Sequence, residues 1–130
     1  MSGLAVDFRG DPAFIDVNGR INWKKNGAWI VIDDCARDIA FGGKGYLYMI
    51  SCELDGNLVY KYKKHKWIAF PNQTQKALSL TVAPSGTPWI ITWDYEVLRF
   101  RHKKWTNMGL SNARDLTAGP RDVIYGLAKD

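Results

Sequence analysis

The chain has 130 residues, a net charge of +5, 46% hydrophobic and 13% aromatic content, which is enough apolar material for one folded core and far from a disordered composition. No apolar run approaches the ~20 residues of a membrane-spanning helix. No charged-then-apolar leader opens the sequence, so a cytoplasmic or otherwise intracellular location is expected.

In chain order, Leu4-Ala-Val6, Phe14-Ile15 and Ile21 are short apolar segments, with a break at Gly10-Asp-Pro12 and a closing Ala28-Trp29. Ile39-Ala-Phe41 then runs into the turn Gly42-Gly-Lys-Gly45, followed by the aromatic-apolar stretch Tyr46 to Ile50. Leu58-Val-Tyr-Lys-Tyr62 alternates with the period of a half-buried strand, and Lys63-Lys-His-Lys66 connects it to Trp67-Ile-Ala-Phe70. The order then recurs as Leu78 to Val82, Ala83-Pro-Ser-Gly86, Pro88 to Ile91, Val97 to Arg101, His102-Lys-Lys104 and Trp105 to Met108. Ala113-Arg-Asp-Leu116 and Val123-Ile-Tyr125 begin it once more.

Trp29, Trp67 and Trp105 stand 38 residues apart, twice over. A fixed period in this range marks a solenoid, a propeller or an array. Each unit reads as four short strands with no amphipathic helix, the description of a β-propeller blade. The fold class expected is therefore all-β, a propeller of four-stranded antiparallel blades. Units run about 3–34, 35–75 and 76–111, with a half unit over 112–130, so about three and a half blades are present. Closed propellers typically carry four to eight. An unfinished ring leaves an apolar face and an open strand edge, so the chain is expected either to be a piece of a longer propeller or to be completed by oligomerisation or by a longer partner.

With that pattern in view, the chain resembles the tectonin repeat family of lectin-related β-propellers. The residues that carry the resemblance are Asp38-Ile39 and Asp115-Leu116 at unit starts, Gly45-Tyr-Leu-Tyr48 and Gly86-Thr-Pro-Trp89 after the turn, and the Tyr-Lys-Tyr and Arg-Phe-Arg segments before Trp67 and Trp105. Leu78-Ser79 replaces Arg-Asp in the third unit. The resemblance implies carbohydrate recognition through loops between blades.

Sugars offer apolar C–H faces to aromatic rings and hydroxyls to fixed polar groups. Trp93, Asp94 and Tyr95, together with Asp55 and Asn57, occupy mid-unit loops that combine these groups. Arg37-Asp38 and Arg114-Asp115 stand where one unit gives way to the next, as cleft residues or as ion pairs fixing the junction. Lys24, Lys25, Lys61, Lys63, Lys64, Lys66, Arg99, Arg101, Lys103 and Lys104 hold ten of the eighteen basic residues and fall in one hairpin of each unit. Repeated around a ring they form a basic rim suited to an anionic partner, or they hold charge in solvent and block edge pairing. Nucleic acid is disfavoured, because no recognition module accompanies the charge.

His65 and His102 lie in basic hairpins without an acidic or nucleophilic partner, and no phosphate loop or metal-ligand spacing occurs. The expectation is a chain with no catalytic residues, no metal and no cofactor that is not an enzyme. Its partner would be a glycan or another protein, the latter through a scaffold role within a homo-oligomer or a larger assembly. Cys35 and Cys52 are expected to be reduced and mostly buried.

Overall fold

The alternating segments become four-stranded antiparallel meanders. A computed structural model describes residues 3–119 and 124–128. Sheet one consists of β1 (Leu4–Val6), β2 (Pro12–Ile15), β3 (Ile21–Lys25) and β4 (Ala28–Ile32). Sheet two holds β5 (Ala36–Phe41), β6 (Leu47–Ser51), β7 (Val59–Lys63) and β8 (Lys66–Ala69). Sheet three holds β9 (Ala77–Val82), β10 (Pro88–Thr92), β11 (Val97–Arg101) and β12 (Lys104–Asn107), and β13 (Ala113–Ala118) pairs with β14 (Ile124–Ala128). Among the described residues the only helical element is a 3-10 turn at Glu53–Asp55. Val123, which the sequence places in the last strand, lies outside the described residues, as do the rest of 120–123 and 129–130.

Each sheet stacks face to face on the next, with the first strands β1, β5, β9 and β13 adjacent in turn. This is a partial β-propeller. Ala13, Ile21, Trp23 and Ile32 of sheet one meet Ile39, Leu47 and Met49 of sheet two. Tyr48, Ile50 and Val59 meet Leu80, Ile90 and Leu98 at the second junction. Ile91 and Val97 meet Ala113 and Leu116 at the third. The middle sheet is covered on both faces, so β6 is buried along its whole length. A strand buried on both faces reads as a continuous apolar run rather than an alternation, which is why Leu47-Tyr-Met-Ile50 has no polar residue.

The tryptophan period becomes a geometric one. Trp29 pairs with Lys24, Trp67 with Tyr62 and Trp105 with Phe100, at the same register position of successive sheets. Trp67 and Trp105 pack into the junction preceding their own sheet. Trp29, in sheet one, is exposed.

Asp38 joins sheets two and three. Its fully buried carboxylate accepts the Ile39 amide on one oxygen and the Leu80 amide on the other, both at 2.9 Å. The neighbouring Arg37 Nε donates to the Leu78 carbonyl at 3.3 Å. Each of these two residues therefore ties its own sheet to the next.

The outer hairpins differ in local strain. Their central residues all have positive φ: Asn26 and Gly27, Lys64 and His65, His102 and Lys103. This matches the two-residue type I′ turn, which fits the strand twist and favours Asn-Gly. His65 and His102 are one turn position out of step, so they are not equivalent.

Two outcomes follow. Asp38→Ala leaves two amides without their acceptor and lowers unfolding free energy by about 3 kcal/mol, read from urea titration. His102→Asn combined with Lys103→Gly relieves left-handed strain and raises stability by about 1 kcal/mol in the same assay.

Candidate functional site

Turns joining the first to second and third to fourth strands gather at one end of the stack. Between sheets one and two they enclose a cleft of about 420 Å³. Its aromatic surfaces are Phe8, Trp23, Tyr46 and Tyr62, and its cations are Arg9, Lys25, Lys44, Lys63 and Lys64, with His65 beside them. Asp7 and Asp11 are the acids of the lining.

Asp7 builds the first turn. One carboxylate oxygen accepts the Arg9 and Asp11 amides at 2.9 and 2.8 Å, and the other lies 3.4 Å from the Trp23 indole Nε1, which donates to it. Arg9 donates to Asn26 Oδ1 at 3.1 Å and its guanidinium lies 5.3 Å from the Phe8 ring. That contact bridges two hairpins of sheet one across the mouth of the cleft. The Lys25 ammonium sits 4.9 Å from the Trp23 ring centre. Gly45 has a φ of +83°, and a Cβ there would stand 2.5 Å from the Phe8 ring. Only glycine admits both the turn and this close approach. The cleft is thus an aromatic recess with a predominantly cationic border.

The basic hairpins divide. Lys25, Lys63 and Lys64 line the cleft. Lys24 is half-buried, and the Lys61 ammonium lies 4.1 Å over the Tyr46 ring. Arg99 lies 5.7 Å over the Trp89 ring. Lys66, Arg101, Lys103 and Lys104 project into solvent.

The loop candidates occupy the opposite end, where second-to-third strand turns lie. Arg37 and Trp93 come together: the Arg37 guanidinium is 5.5 Å and the Lys76 ammonium 5.4 Å from the Trp93 ring. Asp94 and Tyr95 are exposed beside it. Asp55 sits in the 3-10 turn and accepts a Cys52 Sγ contact at 3.5 Å. Asn57 is fully buried and donates to the Ser51 carbonyl at 2.9 Å, holding the β6–β7 connection. Arg114 and Asp115 are exposed at the start of β13, with Asp115 accepting the Leu116 amide at 2.9 Å. The nine candidates are therefore spread over the second-to-third turns and the starts of β5 and β13, with Arg37 and Trp93 brought together, and Asp38 and Asn57 have their side chains inside the fold.

Phe8, Arg9, Trp23, Lys44, Tyr46 and Tyr62 are cleft residues that the sequence reading did not select. The available signal was positional: turns at the same place in adjacent units converge when blades stack.

The two thiols depart from expectation. Cys35 is exposed, Cys52 is half-buried, and both are free. They lie together, with the Cys52 amide donating to the Cys35 carbonyl at 3.0 Å.

Among the described residues no group of three or more His, Cys, Asp and Glu could hold a metal ion. No helix among them is long and apolar enough to cross a membrane.

These features define a β-propeller segment with a cleft between blades. The chain is similar in structure to a solved streptogramin B lyase, with a TM-score of 0.68 and 18% sequence identity over 96% of this chain and 47% of that one. It spans about half the length of that protein. No family model and no curated protein sequence matches it. The similarity corrects one expectation. The absence of a catalytic constellation in the sequence suggested a chain that is not an enzyme, yet a propeller of this architecture is a lyase. Lack of a familiar motif on repeated surface turns does not exclude catalysis on this fold, because function resides in the site rather than the scaffold.

The thiol pair gives a direct chemical test. Hydrogen bonding to Cys52, then burial, pushes the Cys35 thiol up to about 11 from 9.0. It stays protonated through neutral pH, so alkylation by iodoacetamide at pH 8 should run about 100-fold slower than at an unperturbed thiol, since the thiolate is the nucleophile. The rate should climb as pH approaches 11. Cys52→Ala should accelerate the reaction at pH 8.

Proposed function

We propose that this chain is a tectonin-type binding propeller that takes an anionic carbohydrate in the cleft between its first two sheets. The observation that carries this reading is the composition of the cleft: Phe8, Trp23, Tyr46 and Tyr62 beside Arg9, Lys25, Lys44, Lys63 and Lys64. Ring faces suit the C–H faces of a pyranose, and ammonium and guanidinium groups suit a sulfate, phosphate or uronate substituent. The recess is within the size range of small-molecule sites. The Arg37–Trp93 pair at the other end is a second aromatic-cation surface, open to solvent and less enclosed.

A scaffold role is the second reading. Lys66, Arg101, Lys103 and Lys104 extend the basic rim beyond the cleft and are exposed, which favours an acidic protein surface as partner.

Titration calorimetry separates the two. A sulfated or uronate-containing oligosaccharide should bind, a neutral one of the same length should bind more weakly, and free sugar should compete with immobilised glycan. Lys25→Gln with Lys63→Gln should weaken the anionic sugar about 10-fold, in keeping with up to ~1 kcal/mol per partly exposed charge. Equal affinity for neutral and anionic sugars would overturn the anionic assignment. Salt-sensitive binding to an acidic protein without sugar competition would favour the scaffold.

A further inference from the structure

We propose that the exposed face of sheet one is covered by the β13–β14 sheet of a second copy of this chain, so that two copies close one propeller, with Asp115 of each accepting the Leu4 amide of the other.

Register equates Leu4, Ile39, Leu80 and Leu116. Each stands on the first strand of its sheet, opposite Phe14, Met49, Ile90 and Gly126 respectively. In sheets two and three this position faces the preceding sheet and is buried. In sheet one no other sheet of the described residues covers it. Leu4 is 69% exposed where Leu80 is 7%, and Val6 is 57% exposed where Val82 is 5%. Phe14, Trp29 and Val31 are exposed on the same side. Trp29 occupies the register place at which Trp67 and Trp105 pack into a junction. Sheet one thus presents the residues of a junction surface, and exposed apolar patches of this kind mark interaction sites.

The occupant follows from hydrogen bonding. Asp38 accepts its own neighbour's amide, that of Ile39, on one oxygen and the Leu80 amide of the next sheet on the other. Asp115 repeats the first half of this pattern, accepting the Leu116 amide on Oδ1 at 2.9 Å. Among the described residues nothing bonds to its Oδ2. At the other end of the chain, the Ile15 amide donates to the Gly3 carbonyl at 2.7 Å. The adjoining Leu4–Phe14 pair is therefore a non-hydrogen-bonded one, and the Leu4 amide points away from β2. One end of the stack carries the acceptor and the other carries the donor of the same inter-sheet bond. Such a contact is head-to-tail, and it closes into a ring when the rotation per copy permits. The chain spans 47% of the length of the propeller it resembles in structure, so two copies together have about the length of that chain.

Light scattering on a sizing column tests this on the 130-residue chain. The result expected is a particle of twice the 14.8 kDa chain mass. Asp115→Ala should raise the dimer dissociation constant about 100-fold or more, because each ring loses two hydrogen bonds to a charged acceptor. Leu4→Asp should abolish the dimer. Circular dichroism should show both variants folded, since neither residue contributes to the internal junctions. A wild-type monomer, an open polymer, or a dimer indifferent to both substitutions would each overturn the proposal.

Discussion

Every sheet in this chain has two faces to cover, and its strands are too short to curl and cover themselves. That constraint dictates stacking. The middle sheet satisfies it completely, with Leu47 and Met49 turned to one neighbour and Tyr48 and Ile50 to the other. Burying a side chain of this size contributes roughly 1.5–3 kcal/mol, and each junction contains several. First strands lie closest together where sheets converge, and there the backbone amides that point away from their own sheet need acceptors. Asp38 meets that need between sheets two and three by dividing one carboxylate between two amides. Phe8, Arg9 and Lys44 of the first-to-second turns then frame a cleft together with Asn26, Lys64 and His65 of the outer hairpins.

The distribution of charge follows from the same geometry. Hairpins at the periphery are the most solvated parts of each sheet, so lysine and arginine collect there at little desolvation cost. Where the periphery is plain surface these charges only hold the chain in water. At the first junction the same hairpins overhang Trp23, Tyr46 and Tyr62, and the charge borders an aromatic recess. The distinction between solvated rim and ligand site thus depends on what lies beneath the lysines, which a linear pattern of basic residues does not disclose.

Much of the architecture was legible from residue order. The recurrence of Trp29, Trp67 and Trp105 and the alternation in Leu58 to Tyr62 and Val97 to Arg101 reflect strand pairing within a unit, which is local in sequence. What was not legible depends on contacts between units. The sequence offered Asp38 as a cleft residue or as half of a junction ion pair with Arg37, and its bond to the Leu80 amide was not visible because that amide is 42 residues away. The cleft draws Phe8 and Tyr46 from turns and Tyr62 from a strand, across two different units, none of which carries a motif by itself. Asn57 combined a polar side chain with a turn position and so resembled a loop ligand, but its side chain is used inside the sheet to hold the connection. Cys35 sits at the link between β4 and β5 and is exposed.

The central claim is that the carboxylate link made by Asp38 between sheets two and three is repeated by Asp115 between copies, so that the stack closes on itself. Residue-resolved amide hydrogen exchange on the protein at concentrations where it is assembled tests this most directly. Closure predicts that the Leu4 amide is protected alongside the Leu80 amide, since both would be held by an aspartate of the preceding sheet. A Leu4 amide that exchanges freely while Leu80 remains protected would contradict it.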